Sequence, residues 1–348
     1  MAITMAASLA PFFSPPVPAH LQQQNDQYAA IASQPRHSMV EIMNVTSRMR
    51  GVYSLDWTLQ GDKMIIVTKD SQLRLWNADR NSEERSWSGE WMYAECDPNS
   101  PNRTAGVTWP GRFRLVDHRQ AGFAADVDLK ALSDKLEKML FLCWRPDSSY
   151  VAVGTKSDAV QMLDLRKSEL SLGNSMAAST EVNQMCWTVG GEAFLQAEGT
   201  SPGRIAVSRG VDLASGPMFS VVAHQSATVA LCRDPTGRYV ASGGADCFLN
   251  IWDARSLGCI WSCGPGTQPV TSCSFSSDGS LLAWGSGGPA GESQVSVFGV
   301  DTKQSYLQHQ CGSAATMLRF HPTMPTLALA VADCSREGSF VQFLKLGS

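Results

Sequence analysis

The sequence has no long apolar run, no excess of basic charge and none of the short signatures that mark common catalytic sites. Its apolar stretches, such as Leu327 to Ala332, fall far short of the ~18 residues a membrane-spanning helix needs, so the 348-residue chain reads as soluble. The formal net charge of −4 and pI of 5.9 argue against a domain that holds nucleic acid by bulk electrostatics, for which a pI above ~9 is usual. Any RNA contact is therefore expected to be local. Met1 to Pro18 lacks the positive start of a signal peptide and the arginine of a transit peptide, and prolines soon break it. Residues 1–36 are expected to form a disordered tail, with residues 37–348 as one folded unit.

No GxSxG, P-loop or HExxH occurs, and no cysteine has a plausible histidine partner, which removes the commonest nucleophile, phosphate and zinc signatures. No cofactor and no small-molecule substrate are implied. The glycine-rich stretch Gly285 to Gly291 lacks the following helix of a dinucleotide fold and reads as a surface loop. Among the ten cysteines, Cys143, Cys186, Cys232 and Cys273 lie within apolar strand patterns, where a free thiol behaves as a small hydrophobe. That usage fits a reducing compartment. Cys259 and Cys263 have no second ligand pair, so they read as strand residues and not as a zinc site.

What the sequence does contain is internal repetition. Each unit has a short apolar strand ending in an aromatic or its substitute, a polar turn, a second apolar strand, a turn near Asp, and an alternating strand. The clearest copy runs Val222-Ala-His224, Ala230 to Gly237, Tyr239 to Gly243, Asp246 and Leu249-Asn-Ile-Trp252-Asp253, and it resembles a WD40 repeat. Trp57, Cys96, Trp144, Trp187, Arg233, Phe275 and Phe320 are equivalent anchors, spaced by 39, 48, 43, 46, 42 and 45 residues. Seven units that each expose an apolar face must pack radially, and ring closure leaves only short edges. The expected fold is all-β: a seven-bladed WD40 β-propeller with a disordered N-terminal tail. A strand around Met39 to Asn44 is expected to close the ring by pairing with the last unit. Gly237 and Gly279 fall where hairpin turns need a positive φ. One segment breaks the rhythm: Leu129, Leu132, Leu136 and Met139 recur at helical spacing, which predicts a short amphipathic helix over 128–140 between blades 2 and 3.

His224, Ser242, Asp246 and Trp252 are residue types that can build a catalytic site. In WD40 repeats the same set is a hydrogen-bonded brace that satisfies buried polar groups, and the brace is the stronger reading. His321, before Pro322, reads as a turn residue; His118 fits either a turn or a ligand. Arg103, Arg112, Arg114 and Arg119, with Trp109 and Phe113 interleaved, give blade 2 a local basic bias suited to an accessory single-stranded RNA contact. Trp109 and Trp284 are candidate interface anchors, or else core. An enzyme would need inward-facing carboxylates or metal ligands from several blades, and the repeat turns supply none in register.

The motif order also resembles the THO complex subunit 3 family. The carrying residues include Leu142-Cys-Trp-Arg-Pro-Asp147, Glu181-Val-Asn183 before Cys186-Trp187, Asp234-Pro235 with Gly237-Arg-Tyr239, Ser274 to Gly279, Phe320-His-Pro322 and Ser335-Arg-Glu-Gly338. The resemblance covers about Lys138 to Leu346, and blade 2 departs most from it. It implies a nuclear, non-catalytic scaffold subunit of a THO/TREX assembly that couples transcription to messenger ribonucleoprotein packaging and export. The implied partners are other THO subunits, chiefly the large helical scaffold, with the export helicase and mRNA reached indirectly. A generic WD40 adaptor of a ubiquitin ligase or splicing assembly is the competing reading.

Overall fold

In the computed structural model, the described residues are 40–44, 51–133, 136, 138–166, 171–177, 180–287, 293–311, 313–333 and 338–346. They form seven four-stranded antiparallel sheets, and no α-helix occurs among them. Every innermost strand ends on the anchor read from the repeat: β2 (Val52–Trp57), β6 (Trp91–Cys96), β10 (Met139–Trp144), β14 (Val182–Trp187), β18 (Thr228–Arg233), β22 (Val270–Phe275) and β26 (Ala315–Phe320). The chain is a seven-bladed β-propeller. In each blade the inner strand is bulged near its start, as at Val52/Ser54 and Trp91/Tyr93. The bulge adds local twist where the chain enters each blade from its neighbour.

Closure follows the expected route. β1 (Val40–Asn44) pairs with β28 (Gly338–Leu346), giving the last blade the order β1-β28-β27-β26, with β27 at Thr326–Asp333. The final blade thus takes one strand from the start of the chain and three from its end, so the ring shuts with ladder hydrogen bonds and no raw edge at the seam. Trp57 packs across that seam on Phe343 and His321, at ring-centroid distances of 5.5 and 4.6 Å. Leu55, Met64, Met317 and Ala328 fill the same inter-blade core.

Adjacent inner strands are also joined by side chains. The residue before each anchor points to the central channel, and where it carries oxygen it accepts the next anchor's N–H: Cys96 donates to Asp56 at 2.9 Å, Trp144 to Glu95 at 3.2 Å, and Phe320 to Ser274 at 3.2 Å. The indoles of Trp57 and Trp144 donate back to the main-chain oxygens of Arg319 and Glu95. These bonds satisfy strand groups that face no ladder partner.

Two expectations need correction. Among the described residues of 128–140 no α-helix occurs: β9 (Phe123–Asp128) runs into turns, where Ser133 N–H donates to Leu129 and Leu136 N–H to Ser133, and β10 begins at Met139, while 134, 135 and 137 lie outside the described residues. Leu129, Leu136 and Met139 are buried as the periodicity implied, but Leu132 is 55% exposed, so no continuous apolar helix face exists. Inter-blade packing gives those three leucine and methionine side chains a core without a helix. The second correction concerns phase. His224 opens the same sequence repeat as Trp252 but ends β17 (Phe219–His224), the outer strand of blade 4. The sequence unit is offset from the structural blade by one strand.

Gly237 and Gly279 do adopt positive φ, at 77° and 70°. The tail 1–36, the turn at 335–337 and most of the glycine-rich loop lie outside the described residues.

Candidate functional site

The brace is assembled across a blade boundary. Blade 5 comprises β18, β19 (Tyr239–Gly244), β20 (Leu249–Asp253) and β21 (Cys259–Cys263). Trp252 Nε1 donates to Ser242 Oγ at 2.9 Å, Ser242 lies 2.8 Å from His224 Nε2, and His224 Nδ1 lies 3.0 Å from Asp246. Burial lowers the His224 pKa, against the pull of Asp246, so the ring is neutral at pH 7. Its single proton then sits on Nδ1 and goes to Asp246, while Nε2 accepts from Ser242. Asp246 also accepts the N–H groups of Gln225 and Phe248, which pins the turn. Ser242 is fully buried and Trp252 occupies its acceptor side, so its hydroxyl is spent on structure and is not presented to a substrate.

His321 is a turn residue as read. Nδ1 accepts the N–H groups of Thr323 and Met324, and Nε2 donates to the Gly61 carbonyl across the closing seam. His118 is also structural: it lies 2.7 Å from Thr104 Oγ1 and beside Trp87, and burial pulls its pKa down to about 4. Among the described residues no group of three or more His, Cys, Asp or Glu is placed to hold a metal ion. Nine cysteines, Cys259 and Cys263 among them, are free thiols.

The four arginines of blade 2 all meet carboxylates within that blade. Arg103 pairs with Asp97, Arg112 with Asp126 and Asp128, Arg114 with Asp126, and Arg119 with Asp117. Arg114 is also stacked against Trp91 and Phe123. Phe113 is fully buried, leaving Trp109, 39% exposed beneath Lys138, as the one aromatic of the predicted pair at the surface. Trp284 is in the core.

The central channel carries chemistry that the turns did not reveal. Its wall at the pre-anchor positions reads Asp56, Glu95, Cys143, Cys186, Cys232, Ser274 and Arg319, one from each blade. Inward carboxylates are therefore present in register, contrary to expectation, because they sit on strands one residue before Trp57 and Cys96. Aligning the pre-anchor column of the repeat exposes the pattern. Arg319 donates to Tyr93 Oη at 3.2 Å and lies 3.6 Å from Asp56. Burial opposes its charge, but Tyr93, Asp56 and Glu95 outweigh burial and hold it protonated. Burial and the neighbouring Asp56 charge push Glu95 up to about 8, so this acid is largely neutral at pH 7. Burial likewise pushes the Cys186 thiol up to about 12 and Cys143 and Cys232 well above the usual range, which makes them unreactive packing groups.

The ring of four-stranded blades and the His–Ser–Trp brace define the class: this is a WD40-type β-propeller. A family model for "WD domain, G-beta repeat" matches residues 215–253, the stretch holding the brace. More particularly, the resemblance to THO complex subunit 3 is borne out. The chain is 25% identical to THO complex subunit 3 of Arabidopsis thaliana over 289 residues, spanning 81% of this chain and 87% of that protein. It is 29% identical to WD repeat-containing protein AAC3 of Dictyostelium discoideum over 190 residues, 54% of this chain and 38% of that protein. The crystallised β-propeller domain of Myceliophteria thermophila Cps50 (Swd1) superposes with a TM-score of 0.71 over 87% of this chain and 99% of that one, at 10% identity. That likeness speaks to fold alone.

Proposed function

We propose that the chain is a non-catalytic scaffold subunit of a THO/TREX-type assembly in the nucleus, coupling transcription to messenger ribonucleoprotein assembly and mRNA export. The observation that carries this reading is the extent of the match to the Arabidopsis protein, which runs through most of the ring and not through one repeat. The brace is consistent with a supporting role, because its polar atoms satisfy one another inside the protein. Function then lies in binding free energy, with rigid loops and blade faces offered to several partners. The large helical THO subunit is the chief partner in this reading, and the export helicase is reached through it. RNA is also reached through partners, since the blade 2 arginines are already engaged by aspartates. Trp109 is a suitable anchor, because interface hot spots favour tryptophan.

The test is affinity purification of the tagged chain from nuclease-treated nuclear extract, with mass spectrometry of the bound proteins. Recovery of a large helical THO subunit in near-equal amount is the expected result. Ubiquitin-ligase or spliceosomal partners without it would leave the fold standing and replace the function.

A further inference from the structure

Arg233 is the anchor of blade 5, at the position that is aromatic in five of the seven blades: Trp57, Trp144, Trp187, Phe275 and Phe320. An aromatic there packs between blades and needs at most one hydrogen bond. Arg233 instead brings a guanidinium into the channel wall, where it lines both cavities of the channel. Among the described residues its guanidinium makes no hydrogen bond and no ion pair; Glu95 and Asp234 act on it only through space. The other channel guanidinium, Arg319, is fully engaged by Tyr93, Asp56 and its own strand. Leaving a half-buried cation without an acceptor costs folding free energy, so Arg233 contributes nothing to the ring that an aromatic would not do better.

The cavity beside it has a volume of about 390 Å³, within the usual range for ligand sites, and opens among the turns that follow the anchors. Its rim includes Leu59, Pro98, Pro146, Val189, Pro235 and Pro322, an apolar and rigid collar contributed by six blades. The nearby carboxylates do not neutralise Arg233, because Asp56 is held by Cys96 N–H and Arg319, and Glu95 by Trp144 N–H. They do limit what fits: Asp56 and Asp97 beside one free guanidinium disfavour a phosphate chain and tolerate a single monoanion.

We propose that this mouth of the central channel is a receptor for one carboxylate side chain of a partner polypeptide, with Arg233 as the group that binds it. The apolar collar takes the flanking backbone and the guanidinium takes the carboxylate, in the paired geometry that arginine favours. The site stands whichever assembly the propeller joins.

Saturation-transfer NMR of the full chain with the blocked pentapeptide Ac-Ala-Ala-Glu-Ala-Ala-NH2 tests it. The glutamate peptide is expected to bind at least about tenfold more tightly than its glutamine analogue, the size expected for a charge-assisted hydrogen-bonded pair. Arg233→Gln is expected to abolish the difference. Arg233→Trp, which installs the residue found at Trp57, Trp144 and Trp187, keeps the fold, verified by thermal melting, and is expected to abolish it too. Equal binding of the two peptides, undiminished binding by Arg233→Trp, tighter binding of a phosphoserine analogue, or no transfer to any peptide would each overturn the proposal.

Discussion

Blades 5 and 2 have the same four strands and are held together by different chemistry. Blade 5 is locked to blade 4 by a relay of hydrogen bonds from Trp252 through Ser242 and a neutral His224 to Asp246. Blade 2 has no such chain. It has a shorter contact inside, from His118 to Thr104 and on to Cys96 Sγ, and a ladder of arginine–aspartate pairs across β8 (Arg112–Asp117) and β9 outside. A buried hydrogen bond is costly to leave half-made, whereas an exposed ion pair is worth little because water and salt screen it. The propeller architecture tolerates both because inter-blade packing, common to all seven blades, supplies most of the cohesion.

The comparison can be broken by single substitutions. Ser242→Ala strands His224 Nε2 and Trp252 Nε1 together and is expected to cost about 2–4 kcal/mol in denaturant unfolding. Thr104→Val in blade 2 strands one imidazole nitrogen and should cost only about 1–2 kcal/mol. A Thr104→Val variant as destabilised as Ser242→Ala would mean that His118 is an equal brace. Smaller still, Asp126→Asn removes the ladder's shared acceptor and should cost less than about 1 kcal/mol, a difference that shrinks further in high salt.

Titration sharpens the contrast from another side. His118 and His224 have folded pKa values depressed by burial below the usual 6.5, so the unfolded chain takes up protons first. Their contribution makes stability fall as pH drops below about 6.5, continuing to about 4 for His118. His118→Gln should flatten the slope of the unfolding midpoint over that window. Glu95 has the opposite sign: its folded value of about 8 lies above the ordinary 4.5, so its contribution is complete below 4.5 and is lost as pH rises through 8. Glu95→Gln should therefore gain on the parent chain between pH 6 and 9, and a midpoint difference independent of pH would rule out a protonated Glu95.

Much of the fold was legible because a repeat multiplies weak signals. Seven anchors at comparable spacing located seven inner strands, and the leftover strand near Met39 to Asn44 identified the closure. The brace was legible for the same reason, because its unit carries nearly every usual residue, the anchor Arg233 excepted. The periodicity of Leu129, Leu132, Leu136 and Met139 misled, because burial at three of four helical positions can be met by turns packed between blades. Blade 2's basic residues were visible as a cluster, but strand register decided that Arg112 and Arg114 would face Asp126 and Asp128 across one ladder.

By itself, the sequence determined that this protein is a ring of seven β-blades closed by its own N-terminal strand, since apolar periodicity, turn glycines and repeat spacing are local properties written in order along the chain. Only the tertiary structure decided what faces the centre. Asp56, Glu95, Arg233 and Arg319 lie as many as 263 residues apart, and radial packing alone brings them to one channel, where burial and mutual charge shift their proton affinities and, among the described residues, one guanidinium is left without a partner.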